Sequence, residues 1–205
     1  MDAAPRPRST GVVVPIRSFA DGMARLAAVL APEERTALGH DLATAVVRGA
    51  EPLPCVVVSS AVEVRAWCAD LGVEAIDDPG SLDAAAAAGR EWCAARGLAR
   101  VVVAHADLPR IRPGGLAACA LDAGSPVATL VPCHRDDGTP VLSVPTTAPF
   151  AFAYGPGSFR RHVAAAHAAG LAVRVLRDPT LAADLDVPDD LVAAAHLVEG
   201  VGSRP

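Results

Sequence analysis

An aspartate set just past a buried strand and steadied by a proline is well placed to hold a divalent cation. The segment Ala104-His105-Ala106-Asp107-Leu108-Pro109 supplies one, directly after the apolar run Arg100 to Val103. Magnesium favours carboxylate and phosphate oxygens, so Asp107 is a metal candidate; the same side chain would equally serve to cap the following turn. A second acidic group lies at Asp184-Leu185-Asp186-Val187-Pro188. Alternation along an extended segment puts Asp184 and Asp186 on one side and the leucine on the other. Asp189 and Asp190 suit the first turn of a helix beginning at Pro188. Carboxylates from two distant strands can converge on one ion.

The cations complement these acids. The first apolar run leads into Pro15-Ile16-Arg17-Ser18-Phe19, and Gly22-Met23-Ala24-Arg25-Leu26 follows. A loop after the first strand with two arginines sits where α/β nucleotide-binding proteins hold phosphates. Neither a P-loop nor a dinucleotide fingerprint is present, and two solvated arginines are the plainer reading. Further on, Gly155-Pro156-Gly157-Ser158 opens a helical stretch that carries Arg161 and His162 in its first turn. Free backbone N–H groups at such a start attract an anion, although Ser158 could also be an ordinary cap. His105 could act as a base or as a hydrogen-bonding residue of the strand end, while His134 and His167 are given no role.

The elements that must position these residues follow from the hydrophobic pattern. Short β-branched runs at 11–14, 55–58, 100–103, 127–131, 141–144 and 172–176 alternate with alanine- and leucine-rich segments. Helix starts are predicted near Pro32, Ala61, Ser81, Pro113, Ser158 and Pro188. Continuous rather than alternating apolar strands predict an α/β fold with a mainly parallel sheet covered on both faces. The Gly-, Pro- and Thr-rich stretch 132–157, with one hairpin strand, reads as an excursion that covers a substrate.

Composition bounds the class. The 205 residues suit one domain, taken as 11–199 between a disordered tail at 1–10 and a tail at 200–205. Aromatics are only 3% against 52% hydrophobic residues, so Val, Leu and Ala must fill the core. A net charge of −5 without a basic stripe argues against nucleic acid, and no segment reads as a membrane span or secretory signal. Five scattered cysteines without a C-x-x-C pair predict reduced thiols in a cytoplasmic protein.

In order along the chain, these segments resemble the 2-phospho-L-lactate or phosphoenolpyruvate guanylyltransferases of coenzyme F420 biosynthesis. The resemblance runs from Val14 to about Leu191 and rests on Asp107-Leu108-Pro109, Gly138-Thr139, Tyr154-Gly155-Pro156 through Ser158 to Arg161-His162, and Asp184-Leu185-Asp186-Val187-Pro188. It implies a Rossmann-like nucleotidyltransferase of the glycosyltransferase-A type, a three-layer sandwich around a mostly parallel sheet. It implies Mg²⁺-dependent transfer of GMP from GTP to the phosphate of a three-carbon acid, with release of pyrophosphate. Asp107, Asp184 and Asp186 would hold the metal. Arg17, Ser18, Arg25, Ser81 and Asp83 would face the nucleotide, with Asp107, Arg17 and Arg25 acting in catalysis. Thr139, Gly155, Ser158, Arg161 and His162 would hold the phospho-acid. A homodimer would need an exposed apolar patch.

Three positions depart from the family pattern. Met23 stands where a lysine is expected near the triphosphate, Asp83 replaces an asparagine, and Pro140 follows Gly138-Thr139 in place of asparagine. These changes would permit a different nucleotide or acceptor, or a relative that binds without turnover. An acceptor phosphate is already nucleophilic at neutral pH, so such a reaction needs charge neutralisation and alignment more than a general base.

Overall fold

The computed structural model describes residues 10–19, 23–120 and 125–183. Asp184, Asp186, the helix expected near Pro188 and the two terminal tails lie outside the described residues, as does the side chain of Arg25.

Seven strands form one sheet among the described residues: β1 (Thr10–Pro15), β2 (Cys55–Val58), β3 (Glu74–Ile76), β4 (Arg100–Ala104), β5 (Val127–Val131), β6 (Val141–Pro145) and β7 (Ala172–Val175). The helices are α1 (Pro32–Gly49), α2 (Val62–Leu71), α3 (Leu82–Ala95) and α4 (Ser158–Ala168). Strand order is β3-β2-β1-β4-β6-β5-β7, and β6 runs antiparallel to both neighbours while the other pairings are parallel.

The continuous valine runs are explained by burial on two faces. Val12, Val14, Val57 and Val102 join the core under α1 and α2, with Val46, Val64 and Trp67. Their neighbours Val13, Val56, Val58, Val101 and Val103 join the opposite core under α3 and α4, with Ala85, Trp92 and Ala166. Alternate side chains of a strand point to opposite faces, so a sheet covered on both sides needs both sets apolar.

The helix signals are used as read. Glu34 reaches back to the Ala31 N–H at 2.8 Å, and Pro32 opens α1. Ser81 caps α3 by accepting the Ala84 N–H at 3.2 Å.

Two expectations are corrected, and one strand had gone unread. The helix expected near Pro113 is a short 3-10 segment, Gly115–Cys119, entered through Gly114 in a left-handed conformation. The strand in 132–157 is no excursion, because β6 lies between β4 and β5 in the sheet. Strand β3 was not anticipated; it is only three residues long at the sheet edge, with Glu74 exposed and Ala75 and Ile76 partly buried.

Helix α3 lies close enough to β1 that only glycine fits at the contact. A Cβ on Gly89 would stand 2.2 Å from Val13 Cγ1 and 2.6 Å from its Cγ2. The Gly89→Ala variant is expected to lose about 1–3 kcal/mol of stability by overpacking. Urea denaturation checks this: an unchanged midpoint would mean that α3 shifts freely.

Candidate active site

The chain reverses direction across the sheet at β1. From β1 it steps outward through β2 to β3, then returns to place β4 on the other side of β1. Loops leaving the carboxyl ends of β1 and β4 therefore diverge and open a crevice, the usual ligand position in open α/β sheets. A cleft of about 220 Å³ lies there, with Ile16, Phe19, Met23 and Leu82 on its apolar side and Arg17, Ser18, His105 and Asp107 as polar groups.

Each wall has a local cause. The loop after β1 is pinned by Phe19, which is 5% exposed and packs edge-on against His40 and Trp67 at 5.6 and 5.4 Å. Ser18 Oγ donates to Glu63 Oε1 at 2.9 Å. The Glu63 carboxyl is held below its ordinary range by its own backbone N–H and then by Ser18. On the far wall, the His105 N–H donates to the Pro140 carbonyl at 2.9 Å, tying the end of β4 to the Thr139-Pro140 turn. Leu108, the residue after Asp107, is fully buried and anchors this turn.

A second polar cluster adjoins the cleft through the His105 ring, which packs on Tyr154 with centroids 5.4 Å apart. Here Thr139, Ser158 and His162 are all buried. Ser158 Oγ lies 3.4 Å from Thr139 Oγ1, and His162 Nδ1 lies 3.1 Å from the same oxygen. His162 Nε2 accepts the Ala153 N–H at 3.0 Å. Gly157, with φ +72, turns the chain into α4 so that Ser158 becomes the first helical residue.

Burial pushes the His162 imidazole down from 6.5 to about 4; Asp83 opposes this, while Arg161 and His105 add to it. Its pKa is lower folded than unfolded, so between pH 6.5 and 4 the unfolded chain binds the extra proton. The neutral ring's contribution is complete above pH 6.5 and lost as pH falls toward 4, a change on the order of 3 kcal/mol. Urea midpoints from pH 7 to pH 4 should fall accordingly, and the His162→Asn variant should show a shallower fall.

The sequence-predicted residues divide into two groups. Arg17, Ser18 and Asp107 share the cleft, and Thr139, Gly155 and Ser158 share the second cluster or its loop. Ser81 and Asp83 do not line the cleft. Ser81 is spent on its helix cap, and Asp83 Oδ1 accepts the Tyr154 N–H at 2.6 Å. An acceptor is what this contact requires, so aspartate in place of asparagine keeps it. Arg161 gives its guanidinium to the carbonyls of Ala153 at 3.0 Å, Tyr154 at 2.6 Å and Pro156, which closes the 153–156 loop. Arg25 belongs to a 3-10 segment, Ala24–Leu26, that follows Met23 in a left-handed conformation.

Some contributors were not read from sequence. Leu82 carried a weak signal as a large apolar residue at a helix start, and it is 37% exposed at the cleft. Glu63 carried none, and Tyr154 entered only through the motif it opens; their contacts depend on partners 45 and 71 residues away. Four of the thiols are chemically quiet: burial raises Cys55, Cys93 and Cys119 to about 12 and Cys68 to about 11. No disulfide forms between them. No helix among the described residues is long and apolar enough to cross a membrane.

Comparison with known proteins adds an independent line. Residues 10–203 match the family described as guanylyl transferase CofC like. Phosphoenolpyruvate guanylyltransferase of Rubrobacter xylanophilus is 36% identical over 202 residues, covering 96% of this chain and 98% of the relative. The same-named protein of Sphaerobacter thermophilus is 34% identical over 202 residues, covering 95% and 97%. In fold, the chain is similar to a solved nucleotidyl transferase from Methanothermobacter, with a TM-score of 0.64, 17% identity, and 93% and 98% of the two chains covered. A nucleotidyltransferase sheet, a cleft at its topological reversal and a match along nearly the whole length agree, and the chain belongs to the CofC-like guanylyl transferase family of nucleotidyltransferases.

Proposed function

We propose that this protein transfers GMP from GTP to the phosphate of phosphoenolpyruvate or 2-phospho-L-lactate, releasing pyrophosphate, as a step of coenzyme F420 biosynthesis. The observation that carries this reading is the adjacency of two unlike sites. The cleft with Arg17 and Asp107 meets, through His105 and Tyr154, a buried hydroxyl cluster made by Thr139 and Ser158. The near-full-length likeness to proteins named phosphoenolpyruvate guanylyltransferase supports the donor and acceptor assigned here.

In this reading the apolar side of the cleft, with Phe19 and Leu82, receives the flat guanine base. Arg17 and Arg25 face the triphosphate and offset the repulsion between donor and acceptor anions. Thr139, Ser158 and the Gly155 turn hold the phospho-acid so that a phosphate oxygen lines up with the α-phosphorus. That oxygen forms the new bond to the α-phosphorus as the bond to the β-phosphate oxygen breaks. The electron pair leaves with pyrophosphate.

A divalent cation fits the donors present. Asp107 is the one carboxylate among the described residues lining the cleft, and no group of three His, Cys, Asp or Glu side chains forms a cage there. Magnesium commonly binds through one or two carboxylates plus substrate phosphates, so Asp107 would hold it with the nucleotide. Asp184 and Asp186 are proposed as its further ligands. When bound, the ion supplies positive charge to the triphosphate and the departing pyrophosphate.

Phosphorus NMR of the product tests the bond formed. Two mutually coupled diphosphate resonances, with the acceptor's phosphate monoester signal consumed, are expected from GTP and the true acceptor. Hydrolysis of GTP alone, with the acceptor unchanged, would contradict a transferase.

A further inference from the structure

We infer that His162 is a positioning residue for the acceptor site: locked in one tautomer by the Ala153 amide, it leaves the Thr139 hydroxyl proton free for an oxyanion of the substrate. The inference rests on the proposed acceptor role of Thr139 and Ser158 and says how that site acquires a donor.

The argument is one of hydrogen-bond accounting. A neutral imidazole carries one N–H and one acceptor nitrogen. Nε2 faces an amide N–H, that of Ala153 at 3.0 Å, so Nε2 must accept and the ring proton must sit on Nδ1. Nδ1 then donates to Thr139 Oγ1 at 3.1 Å. Ser158 Oγ approaches the same oxygen at 3.4 Å. Thr139 thus accepts from the ring, and its own O–H is not consumed by it. The opposite tautomer would present a bare Nδ1, and the Thr139 proton would turn back toward the ring and be lost to the ligand.

The surroundings hold the ring in this state. His162 has no exposed surface, and it packs edge-on against Tyr154 at 4.7 Å and beside Phe150 at 5.8 Å. Around it the charged and titratable groups are Asp83, Arg161, His105 and Tyr154. Asp83 accepts the Tyr154 N–H and Arg161 donates to the Ala153 carbonyl, so the peptide group that follows the tautomer-selecting Ala153 N–H is fixed at both its donor and its acceptor. His162 lies behind the hydroxyls with both nitrogens engaged, which is why it acts through Thr139 and does not contact substrate.

Long-range ¹H–¹⁵N spectroscopy of the wild-type protein at pH 7 reads the tautomer directly. A protonated Nδ1 and an unprotonated Nε2 are expected, whereas a proton on Nε2 would overturn the inference even if the enzyme is fully active. Kinetics of His162→Leu and His162→Asn add the functional side. Losing the donor in His162→Leu should raise the KM for phosphoenolpyruvate about tenfold and leave the KM for GTP unchanged, and the asparagine amide, which can donate to Thr139, should restore most of the difference. An equal rise in both KM values, or no rise at all, would reduce His162 to a packing residue. A wild-type protein without turnover would instead count against the proposed reaction, and the ring spectrum would still decide the tautomer.

Discussion

The Asp107→Asn variant is expected to lose about a thousandfold in kcat while its melting temperature stays within a degree or two of the wild type. Asparagine has nearly the same shape and keeps one oxygen, so the β4 turn, anchored by the buried Leu108, has no cause to rearrange. What disappears is the charge. Asp107 is the only carboxylate among the described residues facing the cleft, and a cation that it holds there together with the proposed ligands Asp184 and Asp186 and the substrate phosphates loses one of its few anionic donors. About 4 kcal/mol of transition-state stabilisation corresponds to that thousandfold loss, in the range expected for metal-assisted phosphoryl chemistry. Steady-state kinetics with circular dichroism separates this from unfolding. Wild-type turnover would remove Asp107 from the mechanism.

The Arg161→Ala variant should raise the KM for the phospho-acid by about thirtyfold, with a much smaller change in the KM for GTP. Three carbonyls, those of Ala153, Tyr154 and Pro156, converge on one guanidinium, and Gly155, with φ +101, bends the chain around it. A Cβ at Gly155 would already sit 3.4 Å from that guanidinium, so the loop is wound closely on its arginine. Hydrogen bonds to a charged donor contribute about 1.5–3 kcal/mol each when buried, and partial exposure here argues for about 2 kcal/mol in all. Lysine should rescue poorly, because an ammonium cannot reproduce the planar fork that reaches three acceptors. Rescue to wild-type KM by Arg161→Lys would show that charge alone is needed. In that event Arg161 would act on the substrate and not on the loop.

The two variants probe different halves of the site, and the sequence revealed those halves unequally. The strands were legible because a two-faced sheet requires unbroken runs of β-branched residues such as 56–58 and 101–103, recurring between longer alanine-rich segments. Asp107 was legible for the same reason: it sits at a fixed offset from an obvious strand. Ser81 was legible as a cap or a ligand, and the Ala84 amide claims it. The roles of Asp83, Arg161 and His162 were not legible, although all three residues were singled out. Each is defined by a backbone group on the 153–156 loop, and which carbonyl or amide a side chain meets depends on tertiary placement that no local spacing encodes. The same limit explains β6. Its residues read as a hairpin strand, and it does pair antiparallel with β5, but its second pairing, with β4, is long-range.

Met23 shows how a departure from the family pattern can be accommodated. It stands at the cleft in a left-handed conformation where the resemblance leads one to expect a lysine. In the proposed mechanism Arg17 and Arg25 then carry the cationic side of the nucleotide site. The carbonyl of residue 140 receives the His105 N–H and couples the two halves, a bond that asparagine would equally make, and nothing in the structure explains the proline itself.

Pyrophosphate release by the purified wild-type protein with Mg²⁺, measured over the four nucleoside triphosphates against phosphoenolpyruvate, 2-phospho-L-lactate and 3-phosphoglycerate, tests the central claim most directly. Release that requires GTP together with phosphoenolpyruvate or 2-phospho-L-lactate, and that stops when either is omitted, is the predicted result. Silence across the whole grid, from a protein that still binds nucleotide, would contradict it and point to a family member that binds without transferring.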